Sequence, residues 1–201
     1  VLGAFAAIGQ TNIKRLMAYS SIANVGFALS GMVVDSKDGI QATLIYLAIY
    51  FVNTLGAFGV LMFMRRQGQA AEKMSDLAGL GKSNPLLAFA MMLFMFSLAG
   101  VPPLAGFFGK YLVFKEVVGA GMIPLAVIGV LTSVVSAYYY IRVIKLMYFD
   151  ETAQPLDALS CDWLSRIALT ATVILIVGFT FHPAPLIDAA HHAVSSVAVK
   201  N

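Results

Sequence analysis

The chain has 201 residues, of which 60% are hydrophobic and only 11% are charged. A typical soluble domain carries about 25% charged residues, so a chain this poor in charge cannot cover its own surface in water, and the composition predicts a membrane protein. The net charge of +3, with no Lys/Arg-rich run that alternates with aromatic residues, argues against a nucleic-acid partner.

The chain starts at Val1 inside an apolar pattern, and no signal peptide is visible. We expect residues 1–9 to end a truncated helix and the sequence to be the C-terminal part of a longer protein, because a membrane-spanning helix needs about 20 residues. Two apolar segments that are long enough to span follow at 16–34 and 40–64, and 67–83 is predicted to be a water-exposed loop. The lone cysteine, Cys161, allows no internal disulfide.

An interrupted apolar segment occupies residues 84–121. Pro102 and Pro103 each remove a backbone donor and clash with the preceding turn, and Gly100 and Gly106 loosen the backbone beside them. We therefore predict a helix that breaks near residues 99–106 and restarts, with Lys110 just after the break.

Two further spans are predicted at 122–149 and 164–181, separated by a polar loop at 150–162. Residues 186–199 are short and mildly amphipathic, which is typical of a segment lying at the membrane surface. The sequence thus predicts one membrane domain over residues 1–201. Its fold class is all-α, a polytopic transmembrane bundle with about five full spans, one of them discontinuous, after a truncated first helix.

The positions of basic residues decide between one broken span and two. Lys and Arg favour the cytoplasmic side of short loops. Lys14 and Arg15 lie at one boundary, and Arg65, Arg66, Lys73 and Lys82 lie two boundaries later. If residues 84–121 form one discontinuous span, Arg142 and Lys145 lie on the same, cytoplasmic side as these residues. We therefore predict one discontinuous span, with its break near the membrane midplane. The C-terminus is then predicted to lie outside the cytoplasm.

Lys110 is the main candidate site residue. A lysine at the bilayer centre costs at least about 2.5 kcal/mol to insert, so it is expected to serve a function. Burial disfavours its charged form, which suits a proton carrier. The end of the first half-helix would offer it unpaired carbonyls. The alternative is a structural lysine that extends its amine to the surface.

The other charged candidates each have a simpler interpretation. Lys115 and Glu116 lie nearer the outer end of the same half-helix, where they form either a surface pair or part of a proton exit path. Arg142 and Lys145 end a span, as anchors or as part of a cytoplasmic proton entrance.

The uncharged polar residues within the spans are expected to hydrogen-bond between helices, with the lining of a hydrated path as the alternative; they are Ser20, Ser21, Asn24, Asn53, Ser133 and Ser136. The run from Gly79 to Ser83 lacks the earlier glycine of a P-loop, since Asp76 stands there. His182, His191 and His192 with Asp188 are more typical of a solvated tail than of a metal site. We expect neither a catalytic residue nor a metal.

Three segments carry a family resemblance. Residues 12–27 (NIKRLMAYSSIANVGF) and 99–110 (AGVPPLAGFFGK) resemble the (D/N)IKRLLAYSSI…G(Y/F) and GxPPxxGFxxK segments of the antiporter-like membrane subunits of respiratory complex I. Residues 138–151 (YYYIRVIKLMYFDE), with lysine at 110, are most similar to the subunit N branch of bacterial proton-translocating NADH:quinone oxidoreductase.

The resemblance implies a fold of fourteen transmembrane helices in two inverted repeats, of which this chain would hold the end of helix nine and helices ten to fourteen. The family's broken twelfth helix carries a proton-transferring lysine, which maps onto Lys110. No cofactor is implied on this chain, because other subunits bind NADH, flavin, iron–sulfur clusters and quinone. The implied partners are the other membrane subunits of complex I, the lipid bilayer and protons, in the bacterial inner membrane.

The function expected from the resemblance is proton translocation coupled to electron transfer from NADH to quinone. The chain is thus expected to be part of an enzyme, a translocase, without redox chemistry of its own. Two alternatives stay open: a subunit of a multi-subunit cation/proton antiporter, and a structural scaffold in which Lys110 is dispensable.

Overall fold

The computed structural model describes residues 1–66, 68–70, 72–151 and 163–198, and the predicted loop segment with Cys161 and the end of the surface segment at Val199 lie outside these ranges. The described residues are predominantly helical, as predicted. The helices are α1 (Leu2–Ile8), α2 (Ile13–Met32), α3 (Lys37–Phe63), α4 (Leu80–Ser83), α5 (Pro85–Ala99), α6 (Ala105–Gly119), α7 (Ile123–Phe149), α8 (Trp163–Phe181) and α9 (Ala184–Ala198).

The helix starts follow local chemistry. The Asn12 side chain accepts a hydrogen bond from the backbone N–H of Arg15 at the start of α2, and Ser36 accepts one from Gly39 at the start of α3. Pro85 opens α5, where proline is tolerated because the first turn of a helix needs no intrahelical N–H donor.

Within the described part of the chain, three helices are long and apolar enough to cross a membrane by length and composition: α3, α7 and α8. The two helices on either side of the break, α5 and α6, have 15 residues each. Each is therefore about 22 Å long, short of a hydrocarbon core of about 30 Å. The count of five full spans stays a prediction.

The position where α7 ends agrees with one discontinuous span, and the number of spans stays a prediction. The backbone N–H of Gly79, just before α4 and α5, donates to the carbonyl of Leu146 in the last turns of α7 at 3.3 Å. The start of α5 and the end of α7 therefore lie at the same end of the bundle, as α5 and α6 crossing together require. We call this end, which carries Lys14, Arg65 and Lys82, the basic end.

The segment between α3 and α5 is not a simple exposed loop. Strand β1 (Arg65–Arg66) pairs antiparallel with β2 (Gln69–Ala70), and a 3-10 turn (Met74–Leu77) follows. Met74 and Leu77 are buried against the helices. The segment is thus packed across the basic end.

The core lies around α3, which packs against α2, α5, α6, α8 and α9. Its largest fully buried side chains include Phe94, Met91 and Met95 of α5 with Tyr139 and Tyr140 of α7. The broken pair is thus enclosed by α2, α3 and α7, which is where a buried charge can be held.

Candidate functional site

The break between α5 and α6 exposes backbone carbonyls to the lysine that follows it. Gly100 adopts a left-handed conformation (φ +84°), and its N–H donates to the carbonyls of Phe96 and Ser97. A Cβ at Gly100 would lie 3.1 Å from Cδ of Lys110 in addition to straining the backbone, so glycine suits this position. The turn continues through Pro102 and Pro103, which are exposed in this chain.

Lys110 is buried, with 6% of its surface exposed, and its amine lies within the bundle. Nζ donates to the carbonyls of Leu98 (3.0 Å) and Ala99 (3.2 Å) at the end of α5, and to Oγ of Ser133 on α7 (2.9 Å). It also lies 5.0 Å from the centre of the Phe27 ring, a distance that favours a cation. The three donors of an ammonium therefore have three acceptors.

The same partners also suit the neutral amine. A neutral amine keeps two N–H donors, which the two carbonyls accept, and has a lone pair that needs a donor. The Ser133 hydroxyl supplies that donor by rotating its hydrogen. Both protonation states of Lys110 are thus hydrogen-bonded without any movement of heavy atoms.

A second close contact fixes the angle between the half-helices. A Cβ on Gly106 would lie 1.9 Å from the Ser97 carbonyl oxygen, and the Gly106 N–H donates to Oγ of Ser97 at 3.0 Å. Because Lys110 is one turn after Gly106 on the same face of α6, this contact sets the distance between its amine and the end of α5.

A buried polar network lies between α2, α3 and α7. Asn24 accepts a hydrogen bond from the Tyr46 hydroxyl (2.7 Å) and donates to the Tyr140 hydroxyl (3.1 Å) and to Ser20. Ser20 and Tyr140 are also hydrogen-bonded to each other. Ser20 lies nearer than Asn24 to the start of α2, so the network extends from the middle of the bundle towards the basic end.

A small cavity joins this network to Lys110. It is lined by residues that include Asn24, Tyr46, Asn53, Ser97 and Lys110. The space open to the centre of a water-sized sphere is about 10 Å³. This is enough room for about one water molecule. Among the described residues, Oδ1 of Asn53 has no hydrogen-bond partner although Asn53 is buried. The cavity is therefore polar enough to hold a bridging water.

The remaining charged candidates lie apart from this site. Lys115 pairs with Glu116 at 3.3 Å, and the Lys115 side chain is 61% exposed. Lys145 pairs with Asp150 at 3.5 Å at the end of α7. Arg142 donates to the carbonyl of Ile8 at the end of α1 (3.1 Å). The first two pairs have the geometry of surface ion pairs, while Arg142 ties α1 to α7.

The tail histidines do not form a metal-binding group. The rings of His191 and His192 are 6.1 Å apart, and no three His, Cys, Asp or Glu side chains cluster anywhere in the described part of the chain.

Sequence reasoning missed several contributors to the site, namely Ser97, Phe27, Tyr46 and Tyr140. Ser97 could have been recognised from the sequence, because it is the single hydroxyl or amide side chain in α5 and lies close to the break. Nothing in the sequence indicated a role for the two tyrosines, since a tyrosine in an apolar span is equally typical of the membrane interface or the core.

The family model for the transmembrane region of NADH:quinone oxidoreductase and Mrp antiporters matches residues 1–136. The chain belongs to this family. The family assignment agrees with the resemblance seen in the motifs around Asn12 and Lys110.

Curated relatives narrow the comparison. The chain is 53% identical over 197 residues to NADH-quinone oxidoreductase subunit N of Rhodospirillum rubrum, covering 98% of this chain and 40% of the relative. It is 52% identical over 197 residues to the subunit of the same name from Parvibaculum lavamentivorans, covering 98% and 41%. The chain therefore spans about two fifths of the length of these relatives.

Two solved structures share the fold. A chain of respiratory complex I from Thermus thermophilus with bound aureothin matches with a TM-score of 0.81 and 35% identity, over 94% of this chain and 42% of that one. A chain of the Mrp complex from a Dietzia species matches with a TM-score of 0.80 at 18% identity, over 97% and 44%. The second likeness shows the fold alone.

Proposed function

We propose that this chain forms the part of a proton-translocating membrane subunit of NADH:quinone oxidoreductase that holds and releases a proton at Lys110. The observation that carries the proposal is the set of three partners around Nζ, which satisfies both the ammonium and the neutral amine. The roughly 50% identity to relatives named subunit N supports this enzyme over a cation/proton antiporter, which shares the family model and, at 18% identity, the fold.

The proton would be held in balance by two opposed effects. Burial disfavours the charged amine, whereas the α5 carbonyls and the Phe27 ring favour it. A small change in the angle between α5 and α6, or a new charge nearby, would therefore shift the balance. In the assembled complex, electron transfer from NADH to quinone on other subunits would supply that change.

The polar network offers a route for the proton. Tyr46, Asn24, Ser20 and Tyr140 connect the cavity beside Lys110 towards the basic end. The positive-inside rule assigns that end to the cytoplasm of a bacterial inner membrane, which puts the end of α9 on the other side. Lys115 pairs with Glu116, and Lys145 pairs with Asp150, so we assign these three residues at most an accessory role.

The partners and cofactors follow from the same proposal. Other membrane subunits of the complex would flank this chain in the bilayer. NADH, flavin, iron–sulfur clusters and quinone would be bound elsewhere in the complex, with no redox group on this chain.

The test is proton pumping in membrane vesicles driven by NADH, with Lys110→Met in the full-length subunit. Methionine keeps the length of the side chain and removes the protonatable amine, so we expect lost or weakened pumping in an assembled complex. Lys37→Met is the matched control, because Lys37 is an exposed lysine at the start of α3. Normal pumping by an assembled Lys110→Met complex would contradict the proposal and indicate that this segment is a structural scaffold.

A further inference from the structure

A groove of about 550 Å³ opens at the basic end between the first turns of α5 and α8. Its walls are mostly apolar and include Phe63, Phe89, Leu169 and Val173, and polar residues that include Asn84 and Arg166 complete the lining. A volume of this size falls within the range of small-molecule sites.

The polar and apolar parts of the groove are ordered along the membrane normal. On α8, Arg166 precedes Leu169 and Val173, and α8 starts at the basic end. On the α5 side, Asn84 precedes the exposed side chains of Leu86 and Phe89. The charged group therefore lies at the mouth, at the level of lipid headgroups, and the apolar walls continue about two helical turns towards the bilayer core.

The charge at the mouth selects among lipids. Arg166 is exposed there, and a guanidinium can hold two oxygens of a phosphate at once. Lys82 adds positive charge at the same end. Anionic lipids are concentrated in the cytoplasmic leaflet, where each nearby basic residue strengthens their attraction.

We propose that this groove binds an anionic phospholipid, with its phosphate at Arg166 and one acyl chain along α5 and α8. The complementarity has two parts, a cation at headgroup level and an apolar channel below it. The groove is distinct from Lys110 and its partners, so the lipid-binding proposal can be tested independently of proton transfer.

The test uses the assembled complex containing the full-length subunit, in nanodiscs of phosphatidylcholine doped with a photoactivatable lipid. One sample carries phosphatidylglycerol with a diazirine in its acyl chain, and the other carries phosphatidylcholine with the same chain. After illumination, labelled peptides are mapped by mass spectrometry. We expect phosphatidylglycerol to label the α5 and α8 peptides more strongly than phosphatidylcholine does.

Two variants and one control sharpen the test. Arg166→Gln should lower labelling by phosphatidylglycerol about fivefold, from the contribution of one basic residue near a membrane surface. Labelling by phosphatidylcholine should fall much less, because its choline cation offsets the charge of its phosphate. Thr170→Phe should lower labelling by both lipids, because Thr170 also lines the groove and phenylalanine would fill it. Arg65→Gln removes the same charge at the same end but lies on a different cavity, and should change nothing in the groove.

Equal labelling by the two lipids in the unmodified complex would overturn the proposal, since the groove would then accept any acyl chain. Absence of lipid label from α5 and α8 would overturn it as well, because another part of the full-length protein or a neighbouring subunit would then cover the groove. Arg166→Gln complexes are first shown to oxidise NADH normally, so that lost labelling is not lost assembly.

Discussion

Lys110 donates from Nζ to Oγ of Ser133 at 2.9 Å across the interface between α6 and α7. The other two acceptors around Nζ are backbone carbonyls, which accept hydrogen bonds and cannot donate them. The serine hydroxyl can do both. Ser133 is therefore the partner that adapts when the lysine changes its protonation state.

Ser133→Ala is expected to slow NADH-driven proton pumping about tenfold in an assembled complex, because a hydrogen bond to a charged group contributes about 1.5–3 kcal/mol. Ser133→Thr, which keeps a hydroxyl, should retain most of the activity. Ser136→Ala is the matched control, since Ser136 donates within α7 to the Thr132 carbonyl. Equal pumping by Ser133→Ala and the unmodified protein would contradict this role.

Gly106→Ala is expected to destabilise the junction of the half-helices by about 1–3 kcal/mol, the usual cost of overpacking. The added Cβ would lie 1.9 Å from the Ser97 carbonyl oxygen, so α5 and α6 would have to separate. The measurement is the thermal stability of the purified complex together with its pumping.

Gly119→Ala is the control for that substitution. Gly119 ends the same helix, and a Cβ there would meet no other atom within 4 Å. Indistinguishable stability of the two variants would show that the close approach at Gly106 is not needed.

The helix boundaries and the break could be predicted because they depend on local chemistry. Apolar runs, Pro85 at the start of α5, and Gly100 close to two prolines each act within a few residues. The faces that meet could not be predicted, because helices that are apolar on every side carry no stripe that marks the inward face. Ser133 and Ser136 look equivalent in the sequence, yet only Ser133 contacts Lys110.

Long-range contacts explain the other omissions. Tyr46 and Asn24 are 22 residues apart, on separate helices, and nothing in either local sequence indicates their hydrogen bond. Residues 72–77 read as an exposed loop because they are mostly polar, but Met74 and Leu77 bury their side chains against the helices.

Tyr46→Phe is expected to reduce pumping severalfold with normal assembly, because it leaves the buried Oδ1 of Asn24 without its donor, at a cost of about 1–3 kcal/mol, and interrupts the network beside the Lys110 cavity. Tyr138→Phe is the control, since Tyr138 is exposed on α7. If both variants pump alike, the network serves packing and the proton takes another route.

The segment at the basic end should respond to acid through Glu72. Its carboxylate accepts hydrogen bonds from Lys14 (2.7 Å) and Asn12 (3.2 Å), and these contacts hold the pKa of Glu72 below its usual 4.5. Because the folded-state pKa is depressed, the stabilisation is fully present above the ordinary carboxyl pKa. This stabilisation is lost as the pH falls below about 4.5 and then through the lowered pKa of Glu72 in the folded protein.

Hydrogen exchange at two backbone amides reports this change. The amide of Ile13 donates to the carbonyl of Glu72, and that of Met74 donates to Thr11, both at 2.8 Å, so both become exposed when the segment detaches. After correction for the intrinsic exchange rate, their protection should fall in acid in the unmodified protein and become nearly independent of pH in Glu72→Gln. Asp38→Asn, which neutralises an exposed carboxylate at the start of α3, should keep the acid response. If the protection of these amides still falls in acid in Glu72→Gln, another titratable group causes the response.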